Sequence, residues 1–211
     1  MMGYNSNRRT LYALLNTAAQ RAYARGIQTG SGGNLSARDI EAGHMVVKAS
    51  GGSFADCTSE GEGFVVTRLD GGRIDEGDPK PTREVVLHGM LYELLPGIGG
   101  VMHCHSPWAV AYAYRHDMLP MTTQHVKLKL GHDIPILDID SPMLLTEHVP
   151  IVRALFERNP KLTAFILRGH GVVAVGKDII EAEHTAELVE ETAQIASLRE
   201  ILDNSEKTMK G

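Results

Sequence analysis

Two apolar segments of strand length each end at a histidine motif, and this arrangement most constrains how the 211-residue chain can fold. Residues 99–102 lead into His103-Cys104-His105, and residues 164–169 lead into His170. Residues i and i+2 of a strand point to the same face, so His103 and His105 can present two imidazoles side by side. If His170 ends a nearby strand, the three imidazoles predict a metal site with one position open to substrate, as in catalytic sites.

The alternative interpretation is that these histidines only pack in the core. The chain contains 10 histidines, so a His-x-His spacing can arise by chance. The pattern becomes informative only together with the motifs that lie upstream of it.

Alternating helical and strand patterns predict an α/β domain with a mostly antiparallel central sheet flanked by helices. No repeat or linker interrupts the pattern, so we expect residues 1–211 to form a single domain. Helices are predicted at about residues 7–25, 81–95, 107–114, 144–158 and 178–202. Besides the two strands that lead to the histidines, strands are predicted at residues 35–38, 45–48, 64–69, 134–138 and 172–175.

The composition excludes several classes of function. A net charge of −5 argues against non-specific binding to nucleic acid. No apolar stretch approaches the roughly 20 residues that span a bilayer, and the first residues lack a signal-peptide apolar region. The two cysteines, Cys57 and Cys104, imply no disulfide framework, and Cys104 should face the core on its strand. These features are typical of a cytoplasmic enzyme.

Glu84 is a candidate for the metal site because it lies in the first turn of the predicted 81–95 helix, just before the histidine strand. A helix N-terminus stabilises any carboxylate there, so an ordinary first-turn glutamate is one interpretation. The other is that Glu84 is a fourth ligand that becomes a base when substrate displaces it. His88, one turn later, is expected to pack or to support the site rather than to bind metal.

Three polar turns could bind a phosphate group through backbone N–H groups, hydroxyls and one positive charge. A single glycine-rich turn is weak evidence, but three turns near one metal site favour a small phosphorylated substrate. The candidate residues are Gly33, Asn34, Ser50, Gly51, Thr82 and Arg83.

The ordered motifs SGGNLS (31–36), KPTRE (80–84), HCHS (103–106) and GHG (169–171) resemble the class II aldolase/adducin family. The resemblance extends over about residues 7–202. It implies a three-layer α/β/α fold and a homotetramer with active sites between neighbouring subunits. It also implies one divalent metal per subunit, zinc first and manganese or cobalt as alternatives, on His103, His105 and His170.

The resemblance further implies a metal-dependent aldolase that cleaves a ketose 1-phosphate reversibly to dihydroxyacetone phosphate and an aldehyde. Glu84 matches the acidic residue that is both metal ligand and catalytic acid/base in the family's aldolases. Asn34, Ser50, Gly51 and Thr82 match positions that hold the substrate phosphate. The metal would stabilise an enediolate, and Glu84 would carry the proton to or from it.

Three departures from the family's pattern bear on the substrate. The phosphate motif commonly reads Pro-Ser-Ser-Glu, whereas this chain has Arg83 before Glu84. Gln124 or His125 stands where fuculose aldolases have a proton-donating tyrosine, and residues 203–207 contain no tyrosine. We therefore expect a 5-deoxy or methylthio pentulose 1-phosphate, with fuculose 1-phosphate as the alternative.

Other functions within the same family stay open. They are a sugar-phosphate 4-epimerase, a dehydratase, and a decarboxylase of a phosphorylated 3-oxo acid. The family's epimerases usually have aspartate at the position of Glu84, which favours the aldolase. A non-catalytic scaffold resembling the adducin head domain is a further alternative, against which the three histidines and Glu84 argue.

Overall fold

An eight-stranded sheet forms the centre of the computed structural model, which describes residues 2–139, 141 and 143–210. The strands are β1 (Asn34–Asp39), β2 (His44–Lys48), β3 (Phe64–Arg68), β4 (Gly100–Cys104), β5 (Met118–Leu119), β6 (Ile134–Leu137), β7 (Ala164–Leu167) and β8 (Gly171–Gly176). Their order across the sheet is β3-β2-β1-β4-β8-β7-β6-β5. Within the described ranges, only β6 and β7 pair in parallel, which confirms the prediction of a mostly antiparallel sheet.

Helices cover both faces of this sheet and complete the predicted three-layer α/β/α fold. They are α1 (Met2–Ala24), α2 (Val85–Leu94), α3 (Pro107–Ala113), α4 (Gln124–Lys129), α5 (Val149–Arg158) and α6 (Ile179–Lys210). Buried residues of α1, α3, α4 and α6 share one apolar cluster on the first face. Buried residues of α2 and α5 share a second cluster on the opposite face. None of these helices, over the residues described, is long and apolar enough to cross a membrane.

The alternation of side chains along the central strands decides what each face contains. Cys104 and Met102 of β4 lie in the α1/α6 cluster, as expected for a core-facing Cys104. Val101 lies in the α2/α5 cluster, and His103, two residues along, therefore shares the α2 face. The β1–β4 register pairs Asn34 with His103 across the sheet.

The second helix starts later than its sequence pattern predicts. Residue 81 was the expected start, but Pro81 forms an isolated β-bridge with Ala49, and Thr82 N–H donates to the Lys48 carbonyl at 3.0 Å. Residues 80–82 are thus held beside the end of β2, and α2 begins at Val85. Glu84 is consequently the residue that precedes the helix, rather than a member of its first turn.

One short strand and one short α-helix were absent from the prediction. Strand β5 has two residues, and α4 has six residues. The Thr123 hydroxyl accepts a hydrogen bond from Val126 N–H, which makes Thr123 the N-cap of α4. Neither element is long enough to show a clear hydrophobic period in the sequence.

Candidate active site

Three imidazoles from two neighbouring strands meet at one end of the sheet. His103 is the fourth residue of β4, His105 follows the end of that strand, and His170 lies in the turn between β7 and β8. One ring nitrogen from each lies within 4.8 Å of the other two. Since β4 and β8 are adjacent in the sheet, strand pairing brings His170 to the two histidines that lie 65 to 67 positions earlier.

The hydrogen bond that His103 makes to the backbone determines which of its nitrogens is available. Its Nδ1 lies 2.9 Å from the Val172 carbonyl oxygen, which only accepts, so Nδ1 carries the proton. The Nε2 lone pair is then free and lies 3.3 Å from Nε2 of His170. Hydrogen bonds of this kind fix the ring orientation of metal-binding histidines.

Burial keeps all three imidazoles neutral. It lowers the pKa of His103 and of His105, and it lowers the pKa of His170 to about 4. Neutral imidazole is the form that binds metal. The site therefore offers lone pairs, not positive charges, at neutral pH.

Glu84 adds a carboxylate to the three imidazoles. Its Oε2 lies 3.4 Å from Nε2 of His103 and accepts a hydrogen bond from Asn34 Nδ2 at 2.8 Å. Burial acts to raise the pKa of Glu84, but His103, the Asn34 hydrogen bond, His170 and His88 together have a larger effect, and the pKa is lowered. The buried group is thus an ionised carboxylate.

The chemistry of these four side chains fits a divalent cation. The free lone pair on Nε2 of His103 lies 3.3 Å from Nε2 of His170, so a single cation or proton can lie between the two nitrogens. Three neutral nitrogens with one carboxylate form a ligand set that suits zinc, manganese or cobalt. The prediction that one metal binds here is compatible with this geometry, while the ligands themselves stay a prediction.

A pocket runs from the histidines to the polar turns that were expected to hold phosphate. All six predicted phosphate residues line it, together with Glu84, His105 and His170. The remaining lining residues are Ser31, Gly32, Lys48 and Met143. Folding therefore brings the three separate turns to one cavity beside the imidazoles.

The predicted phosphate residues differ in what they can still donate. The N–H of Ser50 donates to the Lys80 carbonyl at 2.8 Å, so Ser50 would reach a ligand through its hydroxyl. The Asn34 amide is engaged with Glu84 and His88. Arg83 is exposed at the pocket edge, so its guanidinium can contribute charge without moving a buried partner.

Lys48 is a pocket residue that the sequence interpretation missed. It ends β2, is 2% exposed, and its Nζ donates to the Ala49 carbonyl at 3.3 Å. Burial lowers its pKa, an effect that Cys57 and Asp56 partly offset. A lysine that closes the apolar run Met45-Val46-Val47 just before a glycine turn was the available signal.

The two residues at the sequence position of the fuculose aldolases' tyrosine are not among those that line the pocket. Gln124 and His125 are exposed on α4, and the pocket is lined by other residues within the described part of the chain. Met143, from the segment before α5, also lines the pocket. The lining of this polar pocket therefore includes an apolar side chain.

Comparison with known proteins agrees with this architecture. The family model described as Class II Aldolase and Adducin N-terminal domain matches residues 13–197. The L-ribulose-5-phosphate 4-epimerase UlaF of Salmonella paratyphi C (strain RKS4594) is 34% identical over 179 residues, covering 81% of this chain and 77% of the relative.

Solved structures give the same result. The L-fuculose-1-phosphate aldolase from Thermus thermophilus superposes with a TM-score of 0.79 at 26% identity, covering 92% of this chain and 96% of that one. YgbL from Escherichia coli superposes with a TM-score of 0.77, also at 26% identity, covering 90% and 89% of the two chains.

Proposed function

Because the chain belongs to the class II aldolase and adducin family, we propose that it is a metal-dependent aldolase acting on a ketose 1-phosphate. It would cleave this substrate reversibly to dihydroxyacetone phosphate and an aldehyde. The observation that carries the proposal is the convergence of His103, His105 and His170 with Glu84 beside a polar pocket. The retained ligand set also argues against a non-catalytic scaffold.

The pocket has the polarity that such a substrate requires. Lys48 and Arg83 supply positive charge to the pocket, and Ser50 and Thr82 supply hydroxyls. A phosphate held there would orient the sugar chain toward the histidines. The substrate's charged group and its reacting carbons are thereby separated along the pocket.

We assign the metal to His103, His105 and His170, with Glu84 as the fourth ligand before substrate binds. When bound, a divalent ion would supply Lewis-acid polarisation of the substrate carbonyl. Glu84 then carries the proton of the reaction. In condensation its carboxylate accepts the proton from the carbon next to the carbonyl, and in cleavage it returns that proton to the same carbon. Its lowered pKa keeps it in the accepting form.

The aldehyde half of the substrate should be short or apolar. Met143 lines the same pocket as His105 and His170, and an apolar side chain offers no hydrogen bond to a hydroxylated tail. We therefore place a 5-deoxy or methylthio pentulose 1-phosphate ahead of fuculose 1-phosphate. A panel of these compounds would rank them by kcat/KM.

A sugar-phosphate 4-epimerase is the second candidate, because relatives at 34% identity carry that name. Carbon 4 of a 2-ketose is not next to the carbonyl, so its proton is not acidic. Breaking the bond between carbons 3 and 4, and re-forming it on the other face of the aldehyde, would invert the configuration at carbon 4 without releasing the aldehyde. Both candidates thus need the same bond cleavage and differ in whether the aldehyde leaves.

We also propose that the protein is a homo-oligomer, with a tetramer as the expected state. Apolar side chains stay exposed on the later turns of α6, at Leu198, Ile201 and Leu202. Such side chains are typical of helix surfaces that pack against another subunit. Light scattering at several protein concentrations would measure the mass.

An aldol-cleavage assay across ketose 1-phosphates, coupled to detection of dihydroxyacetone phosphate, tests the main proposal. We expect metal-dependent release by the wild type, loss of at least about 100-fold in His103→Ala, and near-normal rates in His184→Ala. His184 is a half-exposed histidine on α6 that lies outside the cluster. The aldolase proposal is wrong if the zinc-loaded protein releases no dihydroxyacetone phosphate from any member of the panel. Conversion of L-ribulose 5-phosphate to its 4-epimer without free aldehyde would select the epimerase.

A further inference from the structure

A continuous row of buried polar side chains lies behind the imidazole cluster. The Ser36 hydroxyl lies 2.7 Å from both Tyr92 OH and His88 Nδ1. His88 Nε2 lies 2.5 Å from Asn34 Oδ1, and Asn34 Nδ2 lies 2.8 Å from Glu84 Oε2. Each of the five residues is buried, so each contact replaces a hydrogen bond to water.

Two simple periodicities place these residues opposite each other. Glu84, His88 and Tyr92 are spaced by four residues and form one stripe along α2. Asn34 and Ser36 are spaced by two and share the face of β1 that points toward α2. The row therefore forms where the helix stripe packs on the strand face.

The number of donors on each group fixes the direction of the first two hydrogen bonds. The Glu84 carboxylate only accepts, so Asn34 must donate through Nδ2 and present Oδ1 to His88. Because Oδ1 also only accepts, the proton of His88 must be on Nε2. Burial lowers the pKa of His88 to about 3, so the ring is neutral and has one N–H.

The same reasoning fixes the remaining bonds. A neutral His88 with its proton on Nε2 accepts at Nδ1, so Ser36 donates its single proton there. Ser36, whose single proton is already donated to His88, then accepts from the Tyr92 hydroxyl. Every hydrogen bond from Tyr92 to Glu84 therefore runs in one direction.

We propose that Ser36 and His88 are positioning residues that fix the orientation of the Asn34 amide and thereby hold Glu84 beside His103. This inference rests on the proposed role of Glu84 at the metal. If the amide reversed, Asn34 Oδ1 would face the carboxylate and repel it. The row prevents the reversal because His88, held by Ser36, offers a donor only to Oδ1.

Ser36 and Tyr92 should differ in importance although each supplies one oxygen atom. In Ser36→Ala, Nδ1 of His88 loses its donor, so the ring can move its proton and the Asn34 amide is no longer fixed. In Tyr92→Phe, Ser36 still donates to His88, so the direction of the inner bonds is kept. A purely structural role of the two hydroxyls predicts similar effects instead.

The tautomer of His88 provides the first test and requires no activity. We expect long-range ¹H–¹⁵N spectra of the wild type, with His88 assigned by its absence in His88→Gln, to show a neutral ring protonated on Nε2. Tyr92→Phe should keep this pattern, whereas Ser36→Ala should show a mixture of tautomers. A wild-type ring protonated on Nδ1, or on both nitrogens, would overturn the proposal.

Zinc titration by calorimetry provides the second test. Loss of a group that orients a metal ligand typically costs 10- to 100-fold, so we expect Zn²⁺ affinity to fall by that factor in Ser36→Ala. Tyr92→Phe should stay within about 3-fold of the wild type. Thr67→Val serves as the control, since it removes a buried hydroxyl of β3 that has no hydrogen-bond partner in the described part of the chain. Equal Zn²⁺ affinity in Ser36→Ala and the wild type would contradict the proposal.

The two tests separate this inference from the proposed function. If the wild type binds no Zn²⁺ and cleaves no ketose phosphate, the proposed function fails, while the His88 spectrum still reports the direction of the hydrogen bonds. If Zn²⁺ binds normally but His88 has the wrong tautomer, only the positioning role fails.

Discussion

At the scale of single residues, the active site depends on two positions where no side chain can be accommodated. A Cβ on Gly32 would lie 2.6 Å from His105 Nδ1 and 3.1 Å from Gln28 Nε2. Gly33 has φ of +62°, and a Cβ there would overlap with the amide oxygen of Gln28. The same oxygen accepts a hydrogen bond from His105 N–H at 2.9 Å. Gln28 thus clamps the glycine turn to the backbone of a predicted metal ligand.

We predict that Gly32→Ala weakens Zn²⁺ binding by about 10-fold or more, because the added methyl displaces the His105 ring. Gly97→Ala is the matched control, since a Cβ there meets nothing within 4 Å. Calorimetric titration with Zn²⁺ would compare both variants with the wild type. Unchanged Zn²⁺ affinity in Gly32→Ala would show that zinc binding does not depend on the position of the His105 ring.

At the scale of elements, the contact between α1 and α6 contains a buried carboxylate, an environment that disfavours its ionised form. The Glu183 side chain is fully buried, and one carboxylate oxygen lies 3.2 Å from Arg21 of α1. Burial, followed by the charge of Glu187, raises the pKa of Glu183 to about 7, although Arg21 acts in the opposite direction. The group is therefore partly protonated at neutral pH.

We predict that Glu183→Gln makes folding stability less sensitive to pH. Because the pKa of Glu183 is raised in the folded state, its protonation stabilises the fold fully below about pH 4.5. This stabilisation is lost as the pH rises through about 7. Glu183→Gln has no carboxyl group to ionise at this position, so it does not lose this stabilisation. Its free energy of unfolding relative to the wild type should therefore rise by about 1–3 kcal/mol between pH 4.5 and 8. Urea unfolding at both pH values measures the difference.

Glu157→Gln, at an exposed position on α5, is the control for removing a carboxylate. We expect it to follow the wild type at both pH values. If Glu183→Gln also follows the wild type, Glu183 has an ordinary pKa and the α1–α6 contact is not pH-sensitive.

At the scale of the whole molecule, the proposed site joins distant parts of one sheet. His103 belongs to β4, His170 precedes β8, and Glu84 precedes α2. These elements meet at the centre of an eight-stranded sheet whose neighbouring strands are hydrogen-bonded across its width. We propose that residues 1–211 fold as a single domain and that metal binding stabilises all of it.

We predict one cooperative unfolding transition and a metal-dependent rise in stability. Zn²⁺ at 100 times its Kd should add about 2.7 kcal/mol to the free energy of unfolding. Far-UV circular dichroism and the fluorescence of Trp108, the single tryptophan, should give coincident transitions. His103→Ala should lose the zinc effect. Two separate transitions would contradict the single domain, and an unchanged wild-type midpoint would contradict the metal site.

Much of this architecture could be predicted from local patterns. The apolar run before His103 forms β4, and the run before His170 forms β7 and the turn after it. The three polar turns that were predicted to bind phosphate line one pocket, while phosphate binding itself stays a prediction. The start of α2 was wrong by four residues, because Pro81 pairs with Ala49 across a loop and the sequence pattern does not record that pairing. Lys48 was missed because burial of a strand-end lysine depends on the segments packed around it.

The sequence by itself determined the alternation of faces along β1 and β4, the stripe of Glu84, His88 and Tyr92, and the position of each histidine at a strand end. These follow from the periods of 2.0 and 3.6 residues, which are properties of the local backbone. Only the tertiary structure decided that β1 lies beside β4, so that Asn34 is next to His103 and can reach Glu84. The physical reason is that strand order and helix docking depend on burying both faces of the sheet at once, which involves contacts between residues far apart in sequence.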